Sequence, residues 1–383
     1  MIAFLIGSLD VRGGTHKQFL KLLDYTYNQN ISFIVVTTRY SENETYPGFL
    51  KYKDLIRIIE VHSSQHNTFF SKIRAYISFS ARLKQLIKDA DIINIHDNGF
   101  EKYFPVLGSK KIYWQINDLP YYFTVGNCKN NKVRHAWIRK MLLKFLIHNV
   151  TEITVNVSKN RERVEEYLHR DAKVLYCGID KIRINRNIND TIERLQKRKI
   201  NLLTSGVFFE YRNYETQIQV VKKLLSMDYN VHLNIIGSTL SDFQYATKIE
   251  NMIRNNHLES NITICGQVDE NKFEFLHKNS DIFLFINIDQ SWGLAVFEAM
   301  SCGIPVIVSE SVGATEILSD KVNSIFVNPI NIDEIVGQIL SLVSNKDLFL
   351  KLSNASKDFC SKYSWDEAYS SRLITLMLNN ECF

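Results

Sequence analysis

Short apolar runs alternate with longer amphipathic stretches from one end of the chain to the other. Most of the runs are rich in Ile, Val and Phe and are apolar on both faces, as strands are in a parallel sheet that helices cover on each side. The amphipathic stretches, such as 15–27, 214–227 and 242–256, predict helices. The sequence therefore predicts an α/β protein with doubly wound parallel sheets. The predicted strands are Ile2–Ile6, Ile31–Thr37, Ile56–Val61, Asp91–His96, Lys111–Ile116, Glu152–Val157, Lys173–Tyr176, Asn201–Ser205, His232–Ile236, Asn261–Cys265, Ile282–Ile286, Pro305–Ser309 and Ser324–Val327.

The alternation falls into two blocks. A chain of 383 residues is too long for one ordinary core and suits two domains. Between the blocks lies a polar, charged stretch with little of the periodicity that forms a core. We therefore expect a first domain over 1–180, a linker over 181–199 and a second domain over 200–364. The remaining residues, 365–383, predict a last amphipathic helix that packs back on the first domain.

Composition excludes several classes of protein. A formal net charge of +5 is mildly basic; it does not fit a dedicated nucleic-acid binder but suits anionic substrates or an anionic membrane surface. The six cysteines are scattered without C-x-x-C spacing, so neither a zinc site nor a disulfide framework is expected. Reduced thiols favour a cytoplasmic protein. No apolar run reaches the roughly 18 residues that a membrane-spanning helix needs.

The strongest local signal is the run from Gln290 to Val306, QSWGLAVFEAMSCGIPV. It follows a predicted strand and opens a helix near Gly293, where free backbone N–H groups can hold phosphate oxygens. Glu298 lies about a turn and a half further on, where a carboxylate can accept hydrogen bonds from both ribose hydroxyls. An ordinary strand–helix–strand unit without a ligand has the same pattern.

This run resembles the E-x7-E signature of the GT4 family of retaining glycosyltransferases, which is usually written EGFGLxxLEAMAxGxPV. It departs from that signature at the first acidic position, which is Gln290 here. The resemblance implies the GT-B fold, in which two Rossmann-like domains face each other across a cleft. The matching residues are Gly293, Leu294, Glu298, Ala299, Met300, Gly303, Pro305 and Val306.

Other fragments follow the family's order along the chain. Gly13 and Gly14 form a glycine loop after the first strand, and Thr15 behind them predicts the N-cap of a helix. The stretch LLTSGVFFEYRNYE resembles the family's vGRlxxeKG loop, which opens the second domain. The resemblance is specific in the second half of the chain and looser in the first. The donor-binding residues that it implies are Gly13, Gly14, Gly206, Arg212, Gly237, Gly266, Val268, Gln290, Gly293, Leu294 and Glu298.

Two departures from the family change the charge of the implied donor site. In the vGRlxxeKG loop the family supplies an Arg and a Lys to the donor phosphates, whereas here Val207 stands at the Arg position and Arg212 at the Lys position. Arg212 can bridge two phosphate oxygens in a fork, although a solvated loop charge would have the same sequence. Gln290 keeps an acceptor oxygen but loses the charge that faces the donor sugar's hydroxyls. The family's mechanism needs no protein nucleophile, because the departing phosphate oxygen takes the acceptor's proton.

A third departure lies in the first domain. Asn117 and Asp118 end a predicted strand where many family members carry His-Asp, with the His behind the reacting face of the sugar. Either residue can hydrogen-bond a sugar or acceptor hydroxyl, but an Asn-Asp turn before Pro120 fits the pattern equally well. His96 and Asp97, at the end of the preceding strand, are an alternative pair. The catalytic residues that we expect are Asn117, Asp118, Arg212 and Gln290.

The stretch from Lys129 to His148 carries six Lys or Arg residues and no acidic residue, interleaved with large apolar residues. A basic amphipathic helix of this kind can lie against an anionic membrane surface. A helix that faces the core and solvates its basic side would have the same composition.

These features and the resemblance together predict a retaining glycosyltransferase of the hexosyltransferase type. It would move a sugar from a UDP-, GDP- or dTDP-sugar to a hydroxyl acceptor. Family members of this build often make lipopolysaccharide O-antigen or capsule, which implies a lipid-linked glycan acceptor and a peripheral place on the inner face of the cytoplasmic membrane. No metal or other cofactor is expected, since cationic side chains and a helix dipole replace it. The alternatives are a non-catalytic nucleotide-sugar-binding or scaffold protein of the same fold and, ranked lower, a sugar-nucleotide epimerase.

Overall fold

A computed structural model describes residues 1–60, 68–117, 141, 143–180, 182, 184–240, 242–289 and 292–379. The chain forms two compact units, one made of Met1–Gly178 with Trp365–Phe383 and the other of Ile179–Ser364. Each unit is built on one parallel sheet. The predicted α/β class, with a doubly wound sheet in each half of the chain, is therefore confirmed.

Seven parallel strands form the sheet of the first unit. They are β1 (Ile2–Ile6), β2 (Phe33–Thr37), β3 (Ile56–Ile58), β4 (Ile92–His96), β5 (Lys111–Ile116), β6 (Glu152–Val155) and β7 (Lys173–Val174). Their order in the sheet is β3-β2-β1-β4-β5-β6-β7. The first strand is therefore central, and it pairs with β2 on one side and β4 on the other.

Six parallel strands form the sheet of the second unit. They are β8 (Lys199–Ser205), β9 (Asn230–Ile236), β10 (Ile262–Gly266), β11 (Ile282–Phe285), β12 (Val306–Ser309) and β13 (Ile325–Val327). Their order is β10-β9-β8-β11-β12-β13. Each of the predicted strand runs coincides with one observed strand, and the differences lie at strand ends. The largest difference is at β3, which stops at Ile58, whereas the differences at the other strands are two residues or fewer.

Helices connect successive strands and cover the sheets. They are α1 (Gly14–Asn28), α2 (Phe69–Leu86), α3 (Ser158–Leu168), α4 (Ile188–Gln196), α5 (Tyr214–Ser226), α6 (Phe243–Asn255), α7 (Glu270–Asn279), α8 (Leu294–Ser301), α9 (Ile332–Ser344), α10 (Lys346–Ser361) and α11 (Ser371–Asn379). Short 3-10 segments lie at 47–55, 101–106, 147–149, 210–212 and 313–316, and a π-helical turn at 366–370 leads into α11.

Each unit has its own core. In the first, Leu83 and Ile87 in and just after α2 pack against the sheet through residues such as Ile93 and Ile95 of β4. In the second, α5 and α9 contribute fully buried side chains to a cluster with β8, β9 and β11. Burial of these apolar side chains stabilises each unit.

The stretch 181–199, which we expected to be a linker, contains the helix α4 and belongs to the second unit. Thr191, Ile192 and Leu195 are buried on one face of this helix, which packs beside β8. Arg194 of the same helix pairs with the buried carboxylate of Asp281 at 2.5 Å. Only Thr191, Ile192 and Leu195 of this helix are buried, and most of its other residues are polar or charged. The sequence pattern was therefore too weak to predict a core-facing helix.

The last part of the chain, from Trp365 onward, belongs to the first unit. Ser370 Oγ donates to the carbonyl oxygen of Lys21 in α1 at 3.4 Å. Gly178 lies so close to this segment that a Cβ atom there would be 2.1 Å from the Cα of Trp365. Only glycine therefore fits where the chain leaves the first unit. Among the described residues, no helix is both long enough and apolar enough to cross a bilayer.

The two strand orders place a topological switch point in each unit. In the first unit the order reverses between β1 and β4, and in the second unit between β8 and β11. The connections from adjacent strands leave to opposite sides of the sheet at such a point, which opens a crevice beyond their carboxyl ends. This crevice is the expected binding position in each unit.

Candidate active site

Three glycine turns lie side by side at the carboxyl edge of the second sheet. Gly206, Gly237 and Gly266 stand at or just beyond the ends of β8, β9 and β10. The Gly206 N–H donates to the carbonyl oxygen of Ile236 at 2.8 Å, and the Gly237 N–H donates to that of Gly266 at 2.9 Å. Gly237 has a φ of 153°, and a Cβ atom there would lie 1.9 Å from the carbonyl oxygen of Gly206. The edge is therefore bare backbone, and bulkier residues cannot replace Gly237.

Arg212 lies just after this edge, in the 3-10 turn that follows β8. Its side chain is only 8% exposed. A Cβ atom on Gly206 would lie 2.4 Å from Arg212 Cζ, so the guanidinium packs directly against bare backbone. It also lies 5.0 Å from the ring centroid of Tyr211 and 5.8 Å from that of Phe285. A cation is thus held at the switch point between β8 and β11.

The N-terminus of α8 lies on the other side of this switch point. Gly293 precedes the helix with φ 100° and ψ 61°, and no side chain among the described residues caps it. A Cβ atom on Gly293 would lie 2.8 Å from Phe285 Cε1. The ring of Phe285 therefore lies beside both Gly293 and the Arg212 guanidinium, which places the cation and the helix N-terminus at the same end of β11. The first N–H groups of a helix have no partner within it, and with its dipole they favour an anion.

Glu298 lies in the second turn of α8 and is half-buried. Beneath it, His277 of α7 is buried, and its Nδ1 is 2.9 Å from the carbonyl oxygen of Phe273. Burial lowers the pKa of His277, and the contact with the Phe273 carbonyl oxygen and the nearby Glu298 carboxylate oppose that shift only in part. His277 therefore stays neutral beside the acidic residue. It was missed from the sequence, since a lone His in a helix gives no signal of what it faces.

Three further residues of the second unit were expected to bind the donor. Leu294 begins α8, and Val268 lies half-buried between the end of β10 and the start of α7. Gln290 lies outside the described residues, so its role stays a prediction. Within the described ranges, no three His, Cys, Asp or Glu side chains form a group that could hold a metal ion.

Asn117 ends β5 as predicted, but its side chain belongs to a buried network inside the first unit. Its Nδ2 donates to Gln18 Oε1 at 2.7 Å, and its Oδ1 accepts from Gln115 Nε2 at 3.1 Å. Asn160 Nδ2 donates to the Asn117 carbonyl oxygen at 2.6 Å. Asn117 is only 4% exposed, so this arrangement commits its amide to neighbouring side chains. Its neighbour Asp118 lies outside the described residues.

The alternative pair, His96 and Asp97, also lies mostly within the fold. His96 is completely buried, and its ring centroid is 4.9 Å from that of Phe19. Burial, with a smaller repulsion from His16, lowers the pKa of His96 to about 3. Asp97 has a left-handed φ of 64°, and its carbonyl oxygen accepts from Trp114 Nε1 at 2.8 Å. A neutral, buried His96 can shape the edge of the site, but it does not reach its surface.

The glycine loop of the first unit lies at the N-terminus of α1, beyond the end of β1. Gly13 is the N-cap, with φ −130° and no capping side chain within the described part of the chain, and Gly14 begins the helix. The prediction of Thr15 as the N-cap is therefore wrong. The Thr15 hydroxyl instead accepts a long hydrogen bond from Asn117 Nδ2 at 3.4 Å. This loop leaves its first backbone N–H groups directed beyond the sheet edge.

Comparison with a solved structure identifies the fold class. The structure of Anabaena HepE in complex with UDP and glucose matches 99% of this chain and 99% of its own, with a TM-score of 0.77 at 13% identity. Two doubly wound units with this likeness define the GT-B fold of glycosyltransferases.

Comparisons of sequence identify the protein as a glycosyltransferase. A profile of the family described as Glycosyl transferases group 1 matches residues 185–359. A glycosyltransferase of Methanocaldococcus jannaschii is 24% identical over 341 residues, which cover 88% of each chain. The O-antigen chain mannosyltransferase of Salmonella typhimurium is 24% identical over 226 residues, which cover 59% of this chain and 58% of that protein. The protein is a glycosyltransferase, and its residues 185–359 are similar to the group 1 family.

Proposed function

We propose that the protein transfers a sugar from a nucleotide-sugar to a hydroxyl acceptor with retention of anomeric configuration. The observation that carries this proposal is the position of both Arg212 and Gly293 beside the ring of Phe285. It places a guanidinium and a helix N-terminus at the switch point of the second sheet. A diphosphate placed there meets two independent sources of positive potential, as the departing nucleotide requires.

Each residue then has a definite task. Arg212 and the N–H groups at Gly293 and Leu294 hold the diphosphate, and Glu298 accepts from the ribose hydroxyls. Bare backbone at Gly206, Gly237 and Gly266 lets the donor approach the sheet edge. In the transfer step the bond from the anomeric carbon to the phosphate oxygen breaks, and a bond to the acceptor oxygen forms on the same face. The acceptor's proton passes to the departing phosphate oxygen.

Asp118 and Gln290 are proposed to position the sugar and the acceptor. Asn117 takes part through the network that fixes the end of β5, since its own amide is engaged with Gln18 and Gln115. The UDP and glucose in Anabaena HepE make a UDP-sugar the first donor to test.

We further propose that the acceptor is a lipid-linked glycan of O-antigen or capsule synthesis and that the protein works on the inner face of the cytoplasmic membrane. The relationship to an O-antigen chain mannosyltransferase supports the first statement. The predicted membrane contact, Lys129–His148, lies largely outside the described residues. Helix α2 offers a second contact, because Phe70, Ile73 and Ile77 are 81%, 40% and 61% exposed at i, i+3 and i+7 spacing.

No metal is assigned to the reaction. Arg212 and the α8 N-terminus supply the positive potential that a divalent ion provides in other nucleotide-sugar sites. Transfer should therefore continue in excess EDTA at its rate in added Mg²⁺. A loss of activity in EDTA that Mg²⁺ or Mn²⁺ restores would contradict this assignment.

The test begins with thermal shift against UDP, GDP and dTDP, because a ligand of the folded state raises the melting temperature. The corresponding nucleotide-sugars are then assayed for transfer to a lipid-linked acceptor, with Glu298→Ala as the donor-site variant. We expect it to weaken donor binding and to lower turnover. If Glu298→Ala changes neither, the donor site is misplaced. Binding of a nucleotide-sugar without hydrolysis or transfer to any acceptor would favour the scaffold alternative.

A further inference from the structure

Asn213 follows Arg212 directly and has a left-handed backbone conformation, with φ 53° and ψ 44°. In the vGRlxxeKG pattern that this loop resembles, the residue after the Lys position is glycine. Asn is one of the few residues that tolerate this conformation, so the backbone turn is kept at little cost. The chain therefore gains a side chain at a point where the pattern has none.

The amide of Asn213 joins three loops at the carboxyl edge of the second sheet. Its Nδ2 donates to the carbonyl oxygen of Ile286, just beyond β11, at 3.1 Å, and to that of Pro329, beyond β13, at 2.8 Å. Its Oδ1 accepts from the Thr216 hydroxyl at 2.8 Å. The residue is only 7% exposed. Every strong donor and acceptor of the amide is thus engaged away from water, which makes the arrangement rigid.

Beside this amide, a backbone hydrogen bond also links the loop after β8 to the loop after β11. The Ile288 N–H donates to the carbonyl oxygen of Tyr211 at 2.7 Å. Arg212 is therefore bracketed by attachments on either side, at Tyr211 and at Asn213. Both attachments lead to the loop that follows β11 and precedes Gly293.

We infer that Asn213 is a positioning residue of the donor site, which fixes the guanidinium of Arg212 relative to the N-terminus of α8. The inference rests on the proposed function, because it assumes that Arg212 holds the diphosphate. The two groups form one anion site only if their separation is held constant. A loop free to shift by about 1 Å would lose much of the bidentate geometry on which an Arg–phosphate contact depends.

The test is Asn213→Gly, which keeps the left-handed turn and removes only the amide. We expect roughly tenfold weaker binding of UDP, equal to about 1.4 kcal/mol, and a matching rise in the donor KM with a smaller change in kcat. If thermal shift selects GDP or dTDP, that nucleotide replaces UDP as the probe. Thr216→Val is the matched control, because it removes a hydrogen bond to Oδ1 and leaves both bridging bonds intact.

A double variant separates positioning from general stability. If Asn213 acts through Arg212, Asn213→Gly should add little to the loss of UDP affinity already caused by Arg212→Ala. Full addition of the two losses, or an unchanged affinity in Asn213→Gly alone, overturns the inference. Hydrogen exchange of Asn213→Gly gives a second readout, with faster exchange expected at 286–289 and at Ile330 only. If Arg212→Ala itself leaves UDP binding unchanged, the proposed donor site is wrong as well.

Discussion

At the scale of single residues, the cation at the switch point is the most sensitive position. Replacing Arg212 with Ala should weaken donor binding by about 10- to 100-fold, because a charge-assisted contact to phosphate contributes about 1.5–3 kcal/mol. Arg212→Lys keeps the charge but loses the fork, so an intermediate loss is expected. Isothermal titration with the preferred nucleoside diphosphate measures both. Equal affinities in the Lys and Ala variants would mean that Arg212 does not contact the phosphates.

The buried His96 makes a separate, pH-dependent prediction. Its folded-state pKa is lowered to about 3, whereas in the unfolded chain it returns to about 6.5. Below pH 6.5 the imidazole of His96 therefore binds a proton in the unfolded state but stays neutral in the folded state. The free energy of unfolding consequently falls with decreasing pH. The contribution is up to about 1.4 kcal/mol per pH unit between these two values.

His96→Met should remove this part of the pH dependence. Urea denaturation of both proteins at pH 7, 6 and 5 gives the difference in slope, while the other titrating groups cancel between them. A variant with the same slope as the parent protein would show that His96 is not held neutral in the folded state.

Polar residues at strand ends were predicted only in part. The sequence placed Asn117 correctly at the end of β5 but could not tell that Gln18 and Gln115 would engage its amide. This hydrogen-bond network joins residues of α1 and β5 that are about 100 positions apart in the chain. A local sequence pattern therefore cannot predict it. Asn213 was missed for the same reason, because its partners come from two other loops.

At the scale of elements, the glycines that allow close approach should be the least tolerant positions of the second unit. Gly293→Ala would force a side chain into φ 100° and bring its Cβ to within 2.8 Å of Phe285 Cε1. We expect destabilisation of about 1–3 kcal/mol and weaker donor binding, because the N-terminus of α8 must shift. Thermal unfolding and nucleotide titration measure the two effects.

Gly337 is the matched control for this substitution. It lies inside α9, and a Cβ atom there would meet nothing within 4 Å. Gly337→Ala should therefore stabilise the protein by about 0.5–1 kcal/mol through helix propensity, without effect on nucleotide affinity. If both Ala variants bind nucleotide as the parent protein does, Gly293 is not part of the donor site.

Strands were easier to predict than the element between the units. A strand buried on both faces gives a continuous apolar run, which is distinct even when short. The helix α4 buries one narrow stripe, and its remaining residues are charged, so the same stretch resembled a linker. Tertiary packing against β8, together with the ion pair of Arg194 and Asp281, decides its structure.

At the scale of the whole molecule, the exposed apolar face of α2 is a feature to which the proposed donor site gives no role. From Phe69 to Lys88 the chain carries five Lys or Arg residues and no acidic residue. Apolar side chains that enter the lipid interface, beside cations that meet anionic headgroups, are the two components of reversible membrane attachment. We therefore expect the protein to bind vesicles that contain phosphatidylglycerol and to dissociate as salt is raised.

The triple variant Phe70→Ser, Ile73→Ser and Ile77→Ser tests this attachment by vesicle flotation. Phe275→Ser with Ile330→Ser is the matched control, because these residues are 56% and 71% exposed but lie in the second unit. The α2 variant should lose at least about tenfold in partitioning, since each side chain adds about 1.5 kcal/mol or more when buried. Its affinity for nucleotide should stay unchanged, because the groups proposed to hold the diphosphate and the ribose lie in the other unit. Equal flotation of both variants and the parent protein would show that α2 does not contact the membrane.

A different outcome would assign the exposed face of α2 to a second copy of the chain. In that case the parent protein would not bind vesicles but would form a concentration-dependent dimer, and only the α2 variant would disrupt that dimer.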